Sequence, residues 1–155
     1  MKLFKILKNQ KGFTLIELLV VIGILAVLLA ITLIAINPAR QFAQANDTKR
    51  RNDVNTILNA VNQYMADNAG TVPAGITETA QNVSDAGADI CALLVSQYVA
   101  ALPADPSLSG GAAITDCTVV GYDTGYTILQ SATNSRITVA APSVEITGEV
   151  ISITR

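Results

Sequence analysis

The 155-residue chain contains no histidine, only two cysteines, and charged residues at only 14% of its positions. Without imidazole it lacks the usual general acid–base group, and with a single cysteine pair it has too few donors for a structural zinc site. No glycine-rich phosphate loop ending in Lys-Ser or Lys-Thr is present, and the carboxylates are scattered along the chain. The sequence therefore offers no catalytic constellation and reads as a non-enzyme without a resident cofactor.

Acid is missing from the first twelve residues, which carry Lys2, Lys5, Lys8 and Lys11. From Phe13 to Ile36 polarity is missing instead: the only clearly polar side chains are Thr14, Glu17 and Thr32. As a helix this run is about 36 Å long, enough to cross a ~30 Å hydrocarbon core. Positive charge ahead of an apolar span keeps that end in the cytoplasm and exports the C-terminal part of the chain. Four of the ten basic residues lie in the leader, so the chain beyond Gly12 sets six bases against twelve acids. An acidic exported domain argues against general nucleic-acid binding.

Within the span Glu17 is the anomaly, because a carboxylate in a membrane helix costs about 2.5–3.5 kcal/mol even on lenient scales. A signal-peptide cut after the span finds no small-x-small pattern at Ala35-Ile36-Asn37. The small residue that stands out is Gly12, at the charged edge. A cut there removes the lysines and leaves the apolar helix on the mature protein. The alternative is an uncut signal anchor whose acid snorkels to the headgroups.

Residues 37–155 read as a soluble domain. Pro38 either kinks one continuous helix or begins a new one capped by Asn37. Val54, Ile57, Leu58, Val61, Tyr64 and Met65 form one apolar stripe, which predicts a helix over 38–68 stopped at Asn68-Ala69-Gly70. Asp47 with Arg51, and Lys49 with Asp53, are i,i+4 pairs expected on an exposed face. Lys49-Arg50-Arg51 is accordingly expected as a solvated face rather than a DNA-binding patch. Residues 69–117 read as a connecting loop holding a short helix at 90–102. Alternation predicts strands at 118–122, 125–131, 136–142 and 149–155. The fold class is α+β, a long helix packed on an antiparallel sheet of three or four strands. In an oxidising compartment Cys91 and Cys117 are expected to form one disulfide, closing a loop of about 27 residues and contributing roughly 3 kcal/mol; the alternative is two unpaired buried thiols.

The stretch "KGFTLIELLVVIGILAVLL" resembles the N-terminus of type IV pilins and of the pseudopilins of type II secretion and competence systems. The family signature is Gly, Phe, Thr-Leu and then Glu at the fifth mature position, here Gly12, Phe13, Thr14, Leu15 and Glu17. "LPADPS" and "ISITR" look like further pieces of bacterial pilin-like chains. The resemblance implies cleavage after Gly12 by a prepilin peptidase, methylation of the new Phe13 amine, and polymerisation through the apolar helix. It further implies an assembly ATPase, a membrane platform protein and minor pilins as partners. Pairing of Glu17 with the Phe13 amine of a neighbouring copy would offset part of the cost of both charges and fix the register. The precursor is then expected in the cytoplasmic membrane, and the assembled form in a surface pilus or a periplasmic or cell-wall pseudopilus. The sequence departs from the family where a helix-bending proline often lies about a turn before Pro38, and where many cysteines close a loop nearer the C-terminus. Some major pseudopilins hold structural calcium after a similar proline turn; Asp105, Asp116 and Asp123 are candidate ligands, although their spacing matches no calcium loop. The preferred reading is a pilus subunit. Its rivals are a major pseudopilin and a membrane-anchored binding module that never assembles.

Overall fold

In a computed structural model that describes residues 12–155, Thr14 opens the first helix, and the lysine leader lies outside the described residues. Helix α1 runs from Leu15 to Ile36. Its end is set by Asn37, which adopts a left-handed conformation at φ 48° and ψ 76°. Asparagine reaches that region more readily than most residues, because its short polar side chain bonds locally. Helix α2, Pro38–Asp67, starts at the next residue. Pro38 stands where a helix has no acceptor for its N–H, so the missing donor costs nothing. The Asn37 carbonyl and side-chain oxygens instead accept the Arg40 N–H at 3.1 and 3.4 Å. Of the two readings open for Pro38, the geometry is the start of a new helix.

The described residues form two units that divide between Gln41 and Phe42. In the first, no residue of α1 is buried. The second contains the rest of α2, strand β1 (Gln81–Ser84), the short helix α3 (Cys91–Leu94), and strands β2 (Asp123–Gln130), β3 (Ile137–Ala141) and β4 (Ile151–Thr154). The four strands make one antiparallel sheet in the order β1-β2-β3-β4. Side chains alternate as the pleat requires: Thr124, Tyr126 and Ile128 of β2 and Ile137, Val139 and Ala141 of β3 are buried. All of these but Thr124 share one core with Val54, Ile57, Leu58 and Val61 of α2, while Tyr64 and Met65 pack at its margin. The helical stripe and the α+β architecture are both as the sequence pattern predicts.

Three local expectations are corrected. The stretch 118–122 is a turn, and the fourth strand is β1, inside the segment read as a surface connection. "QNVS" has one apolar residue and no visible period; its strand character comes from the partner, with Gln81 opposite Ile128 and Asn82 opposite Thr127. The helix at 90–102 stops at Leu94, because Val95 is already extended and Ser96 takes a left-handed φ of 75°. An isolated bridge between Leu102 and Ile114 then returns Leu102 to the core. The strand nearest the C-terminus is shorter than expected, beginning at Ile151.

Cys91 and Cys117 are joined in a disulfide. The segment they enclose supplies Leu94 and Leu102 to the core. Ile57→Ala, which removes a fully buried side chain from the centre of the helix–sheet contact, is expected to lower the unfolding free energy by about 2–5 kcal/mol. Chemical denaturation followed by circular dichroism checks this. Replacing both cysteines by alanine is expected to cost about 3 kcal/mol by the same measurement, with reductant having no further effect on that variant.

Candidate functional site

Two polar constellations interrupt otherwise simple surroundings, one at the start of α1 and one buried beneath α2. In the first unit the Thr14 hydroxyl accepts the Glu17 N–H at 3.2 Å. Glu17 Oε2 in return accepts from Thr14 N at 2.8 Å and from the Thr14 hydroxyl at 2.7 Å. This reciprocal capping box satisfies donors that a helix start leaves free. It also fixes where α1 begins, with the capping residue directly after Phe13. Glu17 therefore has a partner within its own chain, on one oxygen; among the described residues Oε1 accepts no bond. Phe13 is 82% exposed, and from there to Ile36 every large apolar side chain faces outward. Gly12, Phe13 and Glu17 thus lie together at the exposed entrance to a helix with no cover of its own.

The second constellation centres on Arg50, which is fully buried. Its Nε and Nη2 bond Asp105 Oδ2 and Oδ1 at 2.7 and 2.9 Å, the two-pronged geometry that suits guanidinium and carboxylate. Nη1 bonds Asp47 Oδ1 at 2.8 Å and Glu145 Oε1 at 3.0 Å. Asp47 also accepts the backbone N–H groups of Glu145 and Ile146, at 3.1 and 2.9 Å. Asp105 accepts both the N–H and the hydroxyl of Ser107. The adjacent Lys49 donates to the carbonyls of Ala104 and Gly111 at 2.8 and 3.3 Å. Tyr126 of β2 completes the array by donating to Asp53 at 2.7 Å.

Burial on its own would raise the pKa of Asp47, but the bonds from Glu145 N–H, Arg50 and Ile146 N–H outweigh it and hold that carboxyl below its ordinary range. The same opposition, won by Arg50 and Ser107, keeps Asp105 low. Arg50 is held still more firmly in its charged form, chiefly by Asp105. Burial, then the Asp53 carboxylate, pushes the Tyr126 phenol well above its usual range.

This cluster corrects the expected solvated basic face. Lys49, Arg50 and Arg51 meet three different fates: Arg50 is buried, Lys49 bridges to the loop and to Asp53 at 3.5 Å, and Arg51 pairs with Glu149. Asp47 is buried and pairs with Arg50, not with Arg51 as exposed i,i+4 spacing implies. A signal was present, because Arg50 and Asp47 fall four and seven residues before Val54 and so continue its buried stripe. Their charge disguised the periodicity. The proposed calcium ligands are engaged elsewhere: Asp105 with Arg50, Asp116 with Thr118, and Asp123 with Gly125 N–H. No group of three or more acidic or cysteine side chains suited to a metal occurs among the described residues.

Residues 7–33 match a family model described as the prokaryotic N-terminal methylation motif. That defines the class: a chain with a prepilin-type N-terminus. Over 85 residues the chain is also 36% identical to the type IV wide pilus major component PilA4 of Thermus thermophilus. The match covers 50% of this chain and 63% of that protein, less than two thirds of the relative's length. No solved structure matches. The chain thus carries a prepilin-type N-terminal motif and is similar over half its length to a type IV pilus component.

Arg50→Ala leaves buried carboxylates without their counter-charge and is expected to destabilise the second unit by about 3–5 kcal/mol in chemical denaturation. Asp47 and Asp105 ionise at lower pH when folded than when unfolded. Their contribution is present above the ordinary carboxyl range near roughly pH 4 and is lost as pH falls through the lower folded values. Denaturation midpoints are therefore expected to hold at mildly acidic pH and to drop below about pH 4.

Proposed function

We propose that the chain is the structural subunit of a type IV pilus-like filament. It is made as a membrane precursor, cut after Gly12 by a prepilin peptidase, methylated at the Phe13 amine, and polymerised through α1. The observation that carries this reading is the methylation motif standing at the head of a 22-residue apolar helix with no buried residue. Such a helix needs lipid or other helices around it, and a filament core supplies the second when the subunit leaves the first. The similarity to a wide-pilus major component supports a surface filament rather than a secretion or competence pseudopilus. The ion cluster beneath α2 serves the stability of the exported domain and takes no part in chemistry.

Glu17 acts twice in this scheme. In the precursor, its Thr14 bonds offset part of the cost of a carboxylate near lipid. After cleavage, Oε1 remains for the Phe13 amine of a neighbouring copy, which brings its own charge into the same apolar setting. A cytoplasmic ATPase and a membrane platform protein supply the work of extraction. The test joins mass spectrometry of the mature chain with electron microscopy of producing cells. The expected results are N-methyl-Phe13 at the new terminus and extended surface filaments built of this chain. An intact Met1 terminus sinks the reading, and short envelope-confined filaments assign the chain to a pseudopilus. Glu17→Leu is expected to be cut normally but to yield few or no filaments; wild-type filament levels would remove Glu17 from assembly.

A further inference from the structure

Beyond α1, five large apolar side chains stand exposed among the described residues: Phe42 (70%), Leu108 (37%), Val119 (53%), Val120 (91%) and Val150 (82%). They are far apart in sequence yet share one end of the second unit. Val119 and Val120 come just before β2, in a turn whose Gly121 N–H donates to Asp85, just past the end of β1. Val150 comes just before β4, whose Ile151 is opposite Ala141, the last residue of β3. Leu108 is tied to the start of β2, because Leu108 N–H bonds the Asp105 carbonyl and Asp105 N–H bonds that of Thr124. Phe42 precedes by little more than a turn the Asp47 carboxylate that holds Glu145 and Ile146, in the connection following β3. The opposite end of the sheet is polar, formed by the Ser131–Arg136 turn and Arg155.

The apolar end is also the end at which the chain enters the unit, at Phe42. Phe42 lies six positions beyond Ile36, the last residue of α1. At full extension that stretch reaches about 20 Å, so an anchored α1 confines this end to that distance of the bilayer surface. Tethering raises the local concentration of the surface, and a contact too weak to hold a free protein then suffices. Exposed β-branched and aromatic side chains partition into the headgroup boundary in proportion to the area they bury. The carboxylates at the same end that no basic side chain pairs among the described residues, Asp85, Asp116 and Asp123, are exposed and disfavour an anionic surface.

We propose that Phe42, Leu108, Val119, Val120 and Val150 form an apolar foot that rests on the headgroup region of a zwitterionic membrane while the subunit waits to be assembled. The inference rests on α1 being a membrane anchor. The turn carrying Val119 and Val120 is braced for such a load: Cys117 of the disulfide precedes it, Asp116 accepts the Thr118 N–H and hydroxyl, and the Tyr122 hydroxyl at its end donates to Asp89 at 2.6 Å.

The test uses the full chain at one copy per phosphatidylcholine nanodisc, with some lipids carrying a paramagnetic headgroup and methyl groups observed by nuclear magnetic resonance. The two ends of β2 are about 25 Å apart, so relaxation enhancement at Val120 and Val150 is expected to exceed that at Ala132 and Thr133 by at least about fivefold. Replacing phosphatidylcholine by an anionic lipid is expected to weaken the effect. Val120→Asp combined with Val150→Asp changes only exposed positions and is expected to abolish most of the enhancement at Val119 while leaving the Ile137 signals in place. Equal enhancement at both ends, or an unchanged effect in the double variant, overturns the proposal. So does enhancement that appears only with two copies per disc, which assigns the foot to a second chain. Failure of the chain to insert at all is a separate result, visible in disc composition, and overturns the membrane-anchor reading beneath it.

Discussion

A guanidinium cannot be deprotonated to escape burial, and Arg50 sits where water does not reach it. Every charge and dipole around it must therefore be brought to it, and the shape of the second unit reflects how that is done. Asp47 comes from the preceding turn of the same helix, Asp105 from the loop after α3, and Glu145 from the connection between β3 and β4. Two irregular stretches of chain are thereby pinned against α2. The apolar core decides that helix and sheet meet. The Arg50 cluster decides where the irregular segments lie, since displacement of either strands a charge in a site of low dielectric.

The two halves of the chain were unequally legible for a physical reason. An unbroken apolar run is constrained in the same way at every residue, so polarity read along the sequence marks α1 almost to the residue, and Gly12, Phe13 and Glu17 lie in a fixed local spacing. The second unit is held by contacts between distant residues. The stripe from Val54 to Met65 and the alternation in β2 and β3 repeat often enough to be seen. Strand β1 does not, because "QNVS" is extended only where β2 pairs with it. The stop at Leu94 depends on a bridge eight residues further on and on a covalent link to Cys117. Arg50 was hidden by its type. Between Lys49 and Arg51 it looks solvated, and only its phase on the helix shows that it faces inward.

At the N-terminus the proposed scheme gives one carboxylate two environments in succession. The Thr14–Glu17 box defines the first turn of α1 before any processing and uses only one of the two carboxylate oxygens. In the proposed scheme, cleavage after Gly12 changes the charge next to that turn and leaves the helix as it is. The unburied apolar surface of α1 carries the same economy further. Lipid and neighbouring helices are alike in polarity, so in the proposed assembly transfer from one to the other is decided by fit and by the single polar pairing rather than by hydrophobic gain.

The enclosure formed by Cys91 and Cys117 has a further consequence wherever the second unit meets a protease. The segment between them carries Asp105, Ala104 and Gly111, the acceptors for Arg50 and Lys49. A protease that nicks the chain anywhere inside the enclosure makes two fragments that stay covalently joined. The cut ends remain anchored near the helix they serve, and the subunit survives as one body. Damage at that site is a broken thread in a closed ring, and the ring holds.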